Sequence, residues 1–146
     1  NYNDAYPRMA GLAEDWLARY PSIQMVLDVH RDSLETDDGT QLALRADVDG
    51  EACAKLLLVM GSNGSGLEHP GWRQNLANAA RLQALCEQRA PGLMRDLLLR
   101  ASRYNQHLTP RSMLLEVGTA GNSLEEALRS ADIFSQVLAD CLLGKA

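Results

Sequence analysis

A chain of 146 residues, 46% of them apolar, is long enough to bury one core and falls in the size range of a single domain. With 14 Lys and Arg against 19 Asp and Glu the net charge is −5, and aromatic residues make up 5%. That balance argues against a nucleic-acid surface, an anionic-membrane surface and a base-stacking platform.

The predicted elements run as follows. Residues 4–20 put Met9, Leu12, Ala13, Trp16 and Leu17 at helical spacing, and Pro21 ends that helix. Residues 22–29, SIQMVLDV, form a largely apolar run, the pattern of a central strand buried on both faces. Asp38-Gly39 within 36–40 is a hairpin turn signal. Residues 41–48 alternate as a more exposed strand, Asp49-Gly50 turns again, and 54–61 is a second apolar strand. A Gly- and Ser-rich loop, 62–71, leads to a helix over 72–90 carrying Leu76, Ala79, Ala80, Leu82, Leu85 and Cys86 at helical spacing. After Pro91-Gly92, residues 93–102 read as a shorter helix or as a strand at their end. Residues 104–110 are loop and 112–118 a further strand. The last helix starts with the capping box Ser123-x-x-Glu126, presents a stripe of Leu124, Leu128, Ala131, Leu138 and Leu142, and stops at Gly144. Strands alternating with helices make the class α/β, with the sheet covered on its faces.

Three cysteines, Cys53, Cys86 and Cys141, lie far apart with no CxxC pair, so small buried or half-buried thiols are expected and no disulfide framework. No apolar run approaches the roughly 18 residues of a membrane span.

Two strands end in polar residues directly after apolar runs: VLDVHRDS and LLEVGTAGN. Ligands in α/β sheets collect outside the carboxyl ends of strands. If these two strands are parallel neighbours, His30 and Glu116 meet there. An imidazole is a metal ligand or a base; at a strand end it is equally a hydrogen-bonded or solvated histidine. Asp28 shares His30's face of the strand and either orients the imidazole, pairs with Arg31 or caps a loop. A glutamate inside MLLEVG has its pKa raised by burial, as a general base needs, unless it sits at an exposed end bonded to backbone amides. His69 and His107 fall in loops and read as surface residues, with metal ligation the alternative. Tyr104-Asn105-Gln106 offers hydrogen-bonding side chains suited to a sugar or peptide and equally to a turn, which makes Asn105 and Gln106 candidate substrate-binding residues, and the glycines of the loop 62–71 read as flexibility.

NYNDAYPRM (1–9), PSIQMVLDVHRDSL (21–34), HPGWRQNLANAARLQ (69–83) and YNQHLTPRSMLLEVGTAGNSLEEAL (104–128) occur in this order. Together they resemble the C-terminal part of the stage II sporulation protein P family of zinc-dependent N-acetylmuramoyl-L-alanine amidases. The resemblance implies a mixed, mostly parallel sheet flanked by helices in a zinc-amidase fold, and a zinc ion at strand ends held by two histidines and a glutamate. It makes His30 one zinc ligand and Glu116 the catalytic glutamate. The family's other two ligands belong to an HTHxxE-like stretch that this sequence lacks. Residues 1–146 are therefore expected to be a single catalytic domain that is N-terminally truncated.

The implied reaction is cleavage of the amide between N-acetylmuramic acid and the L-alanine of a peptidoglycan stem peptide. A non-catalytic peptidoglycan-binding or scaffold module is the alternative for the chain by itself, and an unrelated α/β hydrolase with another use for the glutamate is a third reading. By resemblance, a second wall-cutting enzyme and membrane-anchored assembly factors are the expected partners, no nucleic acid is involved, and the setting is the extracytoplasmic cell envelope.

Overall fold

The computed structural model describes residues 4–145. Asn1, Tyr2 and Asn3, which open the first motif quoted above, lie outside the described residues. In chain order the elements are α1 (Ala5–Arg19), β1 (Leu27–Asp32), β2 (Arg45–Val48), β3 (Glu51–Ala54), β4 (Leu56–Gly61), α2 (Trp72–Arg89), β5 (Leu98–Arg100), β6 (Met113–Thr119) and α3 (Leu124–Leu142). A single 3-10 turn, Gln106–Leu108, precedes β6.

Four strands form one sheet in the order β1-β6-β4-β5. β1 and β6 are parallel, β6 and β4 antiparallel, β4 and β5 parallel, so the α/β sheet is mixed and mostly parallel, as expected. The central strands are β6 and β4. β1 is an edge strand, a correction to the central placement read from its apolar run. Among the described residues it pairs with β6 alone, and its Val29 is 60% exposed. An apolar run records that side chains can be buried, and not how many neighbouring strands pair with the backbone.

Leu56, Leu58 and Met60 of β4 and Met113, Leu115 and Val117 of β6 join Ala79, Leu82 and Cys86 of α2 and Phe134 and Val137 of α3 in the main core. The alternate residues Leu57, Val59 and Leu114 form a small separate cluster with Leu98 and Tyr104 on the opposite face. Helices α2 and α3 thus cover one face only, where both were expected to be covered. On the other side α1 contacts the 3-10 turn and contributes no fully buried residue.

β2 and β3 make a separate antiparallel hairpin. Its turn is Asp49-Gly50, both at positive φ (54° and 84°), the geometry of a two-residue hairpin loop. The Asp38-Gly39 turn is flanked by one isolated bridge, Glu35 to Gln41, so the strand expected from residue 41 starts at Arg45. Residues 93–102 contain no helix: the amide of Leu56 donates to the Leu93 carbonyl and that of Arg95 to the Leu56 carbonyl. The open edge of β4 draws this segment into pairing, and the strand alternative at its end is β5.

The stripe read for α3 is displaced. Leu124 and Leu128 are 65% and 59% exposed, and the fully buried residues are Glu126, Ser130, Phe134 and Val137. Two of those four are polar, which concealed the face. Ser130 Oγ donates to the Ala54 carbonyl (2.7 Å), and Glu126 accepts from Arg45, from Asn122 and from the Ser123 amide. Ser123 accepts from the Glu126 amide and completes the capping box. The three thiols are free, with Cys53 and Cys86 buried. Among the described residues no helix is long and apolar enough to cross a membrane.

Glu126 ties α3 to the first residue of β2, and its carboxyl is held down at about 2, first by the Arg45 hydrogen bond and next by that from Asn122. A carboxyl lowered by folding stabilises the fold above its ordinary 4.5 and loses that contribution as pH falls toward 2. Chemical denaturation of Glu126→Gln is expected to show a protein less stable than wild type at pH 7, with the gap narrowing as pH falls through that window. Ser123→Ala should cost about 1 kcal/mol by the same measurement.

Candidate functional site

Glu116 lies in the middle of β6 between Leu115 and Val117, both in the main core. Strand alternation therefore turns its side chain to the other face. There the register sets His30 of β1 on one side of it and Leu57 of β4 on the other. The two residues separated by 86 positions in sequence are direct neighbours across a parallel pair. Glu116 is half-buried, and its Oε2 is buried with no hydrogen-bond partner among the described residues. Burial pushes its carboxyl above the ordinary value; the His30 charge opposes this, Asp32 adds to it, Arg95 opposes it and Asp28 adds to it.

The three ionisable residues at the end of β1 have separate tasks. His30 Nε2 lies 2.9 Å from Asp28 Oδ1, so a carboxylate one full repeat back along the strand holds the imidazole. Arg31 points to the other side, where Nε donates to the Thr119 carbonyl (2.9 Å) and Nη2 to the carbonyl of Asn122. That stitches the end of β1 to the loop between β6 and α3. Asp32 accepts a hydrogen bond from Arg95 Nη1 at 2.6 Å. Of the three uses open to Asp28, the structure takes the imidazole contact, and Arg31 is engaged elsewhere.

Between His30 and Asp32 the register slips: β1 advances from His30 to Asp32 while β6 advances from Glu116 to Thr119. The extra residue is accommodated at Gly118, whose φ is +71°. A Cβ at that position would stand 2.7 Å from the Ala54 Cβ. The glycine in EVGTAGN is required by this bend.

A cavity of about 120 Å³ bounded by Ala5, Tyr6, Met9, Asp28 and His30 opens beside the imidazole. A second, of about 110 Å³, shares Met9 and Asp28 and extends to Tyr104, Asn105 and Leu108. Tyr104 and Asn105 both have left-handed backbone (φ 49° and 57°), and Asn105 Nδ2 donates to the Tyr6 carbonyl at 2.7 Å. Asn105, expected to bind substrate, therefore borders the cavity and anchors α1. Gln106, the other expected substrate-binding residue, also lines this second cavity, while its side-chain amide serves the fold. It is 1% exposed, its Oε1 accepts from the Gly61 amide and its Nε2 donates to the Val59 carbonyl, both at 2.8 Å. The two cavities beside His30 and Asp28 take no lining residue from 62–71.

His69, read as a surface residue, is 2% exposed, and neither ring nitrogen has a partner among the described residues. His107 is half-buried, with its Nδ1 also unpartnered. Burial, foremost, pushes both imidazoles below their ordinary value. Neither is among the charges felt at Glu116. His69 was misread because it lies beside His107 and Arg103 of a distant loop, a neighbourhood local composition does not reveal. Arg95 was missed outright: it sat inside LMRDLLLR, read as helix or strand without a role.

A catalytic zinc takes three protein ligands. Among the described residues no group of three or more His, Cys, Asp or Glu side chains is placed to hold a metal ion. His30 is an eligible ligand, but these residues do not complete a zinc site.

Because folding raises the Glu116 carboxyl, the folded state gains from its protonated form; that contribution is present below 4.5 and lost as pH rises through the folded-state value. Glu116→Gln is expected to unfold at a higher temperature than wild type at pH 7 in the presence of a chelator, with the difference closing as pH falls through the folded-state value to 4.5.

Most of the chain is similar to one known family. The family described as stage II sporulation protein P (SpoIIP) matches residues 1–139. The curated stage II sporulation protein P of Bacillus subtilis (strain 168) is 33% identical over 149 aligned residues, covering 96% of this chain and 35% of that protein. The chain thus spans about a third of the length of the curated relative it matches. No solved structure matches it.

Proposed function

The chain belongs to the stage II sporulation protein P family, and from that premise we propose that it carries part of a peptidoglycan amidase active site. The bond cut is the amide joining the lactyl group of N-acetylmuramic acid to the L-alanine of the stem peptide. The observation that carries this reading is the pairing of His30 with Glu116 across β1 and β6, with the carboxylate half-buried, unpartnered at Oε2 and raised in pKa.

A carboxylate in that state is suited to take a proton from water at neutral pH and hold it for the leaving amine. Glu116 acts in that role, as general base and then general acid. Hydrolysis of an amide needs both transfers, because the attacking water must lose a proton and the departing amine must gain one. Asp28 fixes the orientation of His30 through the 2.9 Å contact at Nε2. Leu57, Val59 and Leu114 make the surface beside Glu116 apolar and support its raised pKa.

We propose zinc as the cofactor, with His30 as one ligand and the remaining ligands supplied from outside the described residues. The steps assigned above are those of Glu116 and its neighbours alone. Peptidoglycan places the reaction outside the cytoplasm, in the cell envelope, with a second wall-cutting enzyme and membrane-anchored assembly factors as the proposed partners. The incomplete set of metal donors favours a second reading for the chain by itself, that of a peptidoglycan-binding module of the same fold without turnover.

Incubating the purified chain with cell-wall sacculi, with and without added zinc, separates the two. Under the enzyme reading stem peptides are released, the release depends on metal, and Glu116→Gln reduces it by at least about 100-fold with the fold retained by circular dichroism. His30→Ala should lower both metal uptake and release. Sedimentation with sacculi without any release of stem peptide, by the chain itself and equally by the chain joined to a segment supplying the remaining ligands, would establish the binding module and end the hydrolytic reading.

A further inference from the structure

Arg95 comes from the segment following α2, on the far side of β4, and its guanidinium reaches Asp32 on β1. It therefore passes over the face that carries Glu116, and its charge is felt there. The ion pair with Asp32 is three-quarters buried, with both side chains 23% exposed. A guanidinium has five N–H donors. Among the described residues the side chain of Arg95 spends one, on Asp32 Oδ2. The remainder are held in place on the site face by that one bond.

The other charges on this face are chiefly negative. Asp28, Asp32 and Glu116 stand against His30, which is already in contact with Asp28. An anionic group entering the site is repelled everywhere except at Arg95. A planar guanidinium oriented by one carboxylate is well matched to receive a second, through two parallel N–H donors.

We propose that Arg95 is a specificity-determining residue, whose unspent N–H groups take a free carboxylate of the peptide whose amide is presented to Glu116. This rests on the peptidoglycan reading for the identity of the peptide, and on the Arg95–Asp32 geometry for the anchor. It assigns the site a preference for stem peptides bearing a free carboxylate near the scissile amide over the same peptides with that carboxylate amidated.

The test is equilibrium binding by calorimetry, which requires no turnover. The probes are an N-acetylmuramoyl peptide with free carboxylates and the same peptide with those carboxylates converted to amides. Wild type is expected to bind the acid form about tenfold more tightly, the loss of one charge-assisted contact being of that order. Arg95→Gln should bind both forms alike, at the level of the amidated peptide, and Arg95→Lys should keep part of the preference. Asp32→Asn separates anchoring from a strut role: the amide oxygen of Asn still accepts the Arg95 Nη1 bond while the competing charge is removed, so the preference for the acid form should persist. Equal binding of the two peptides by wild type, no binding of either, or the same loss of preference in Arg95→Gln and Asp32→Asn overturns the proposal. A chain that selects the acid form but releases no stem peptide from sacculi retains the anchor and loses only the hydrolytic reading.

Discussion

The site depends on the parallel pairing of β1 with β6. Side chains alternate with a period of two, so a slip of one residue would turn either His30 or Glu116 to the helix-covered face and separate them. β1 is an edge strand and has one partner to fix its register. The lock is at its end. The Met113 amide donates to the Val26 carbonyl at the start of the pair and the Ala120 amide to the Asp32 carbonyl at its finish, while Arg31 holds the carbonyls of Thr119 and Asn122. The loop that receives those bonds is itself tied down. Asn122 Oδ1 accepts from the Thr119 amide, and Asn122 Nδ2 donates to the Leu44 carbonyl and to Glu126. The register of an exposed strand is thereby secured by the capped end of α3.

That arrangement divides the labour of the sheet. The face toward α2 and α3 buries aliphatic side chains without a polar interruption from β4 or β6. Among the described residues the opposite face buries a cluster of Leu57, Val59 and Leu114 and places Glu116 in the same row. A buried carboxylate oxygen with no donor costs free energy, and the main core must offset it. The same lack of a partner keeps the carboxyl raised, the condition a proton carrier requires. A donor aimed at Oε2 would stabilise the fold and lower that pKa. The group is left unsatisfied, as the proposed role of proton carrier requires.

The sequence carries some of this openly and some of it not at all. The capping box of α3, the Asp49-Gly50 hairpin and the helix over 72–90 rest on bonds between residues a few positions apart, and local signals read them correctly. Register is a long-range property. The meeting of His30 and Glu116 was legible only through the rule that ligands gather at strand ends and through the family resemblance, because no local pattern joins residues so far apart. The edge position of β1, the extended path of 93–97 and the buried side of α3 are decided by which surfaces remain open after the other elements have packed. Gln106 looked available because amide side chains suit ligands, yet the same donors and acceptor suit two backbone groups of β4 equally well. Asn75 is the parallel case, its amide donating to the carbonyls of Gln106, Thr109 and Ser112 from within a helix that otherwise reads as an apolar stripe.

The order of charges along VLDVHRDS now has a physical explanation. Alternation sends Asp28, His30 and Asp32 to one face and Arg31 to the other. A basic residue at position 31 is what the carbonyls of the following loop require, and it can do that work only from the face away from Glu116. On the near face the two aspartates each engage a nitrogen base, His30 and Arg95, and Glu116 is left as the carboxylate without a partner. Exchanging His30 with Arg31 would set a guanidinium beside Glu116 and strip the loop of its anchor. Three consecutive ionisable residues at the end of an apolar strand therefore satisfy two separate demands, a locked register behind the sheet and one unpaired carboxylate in front of it.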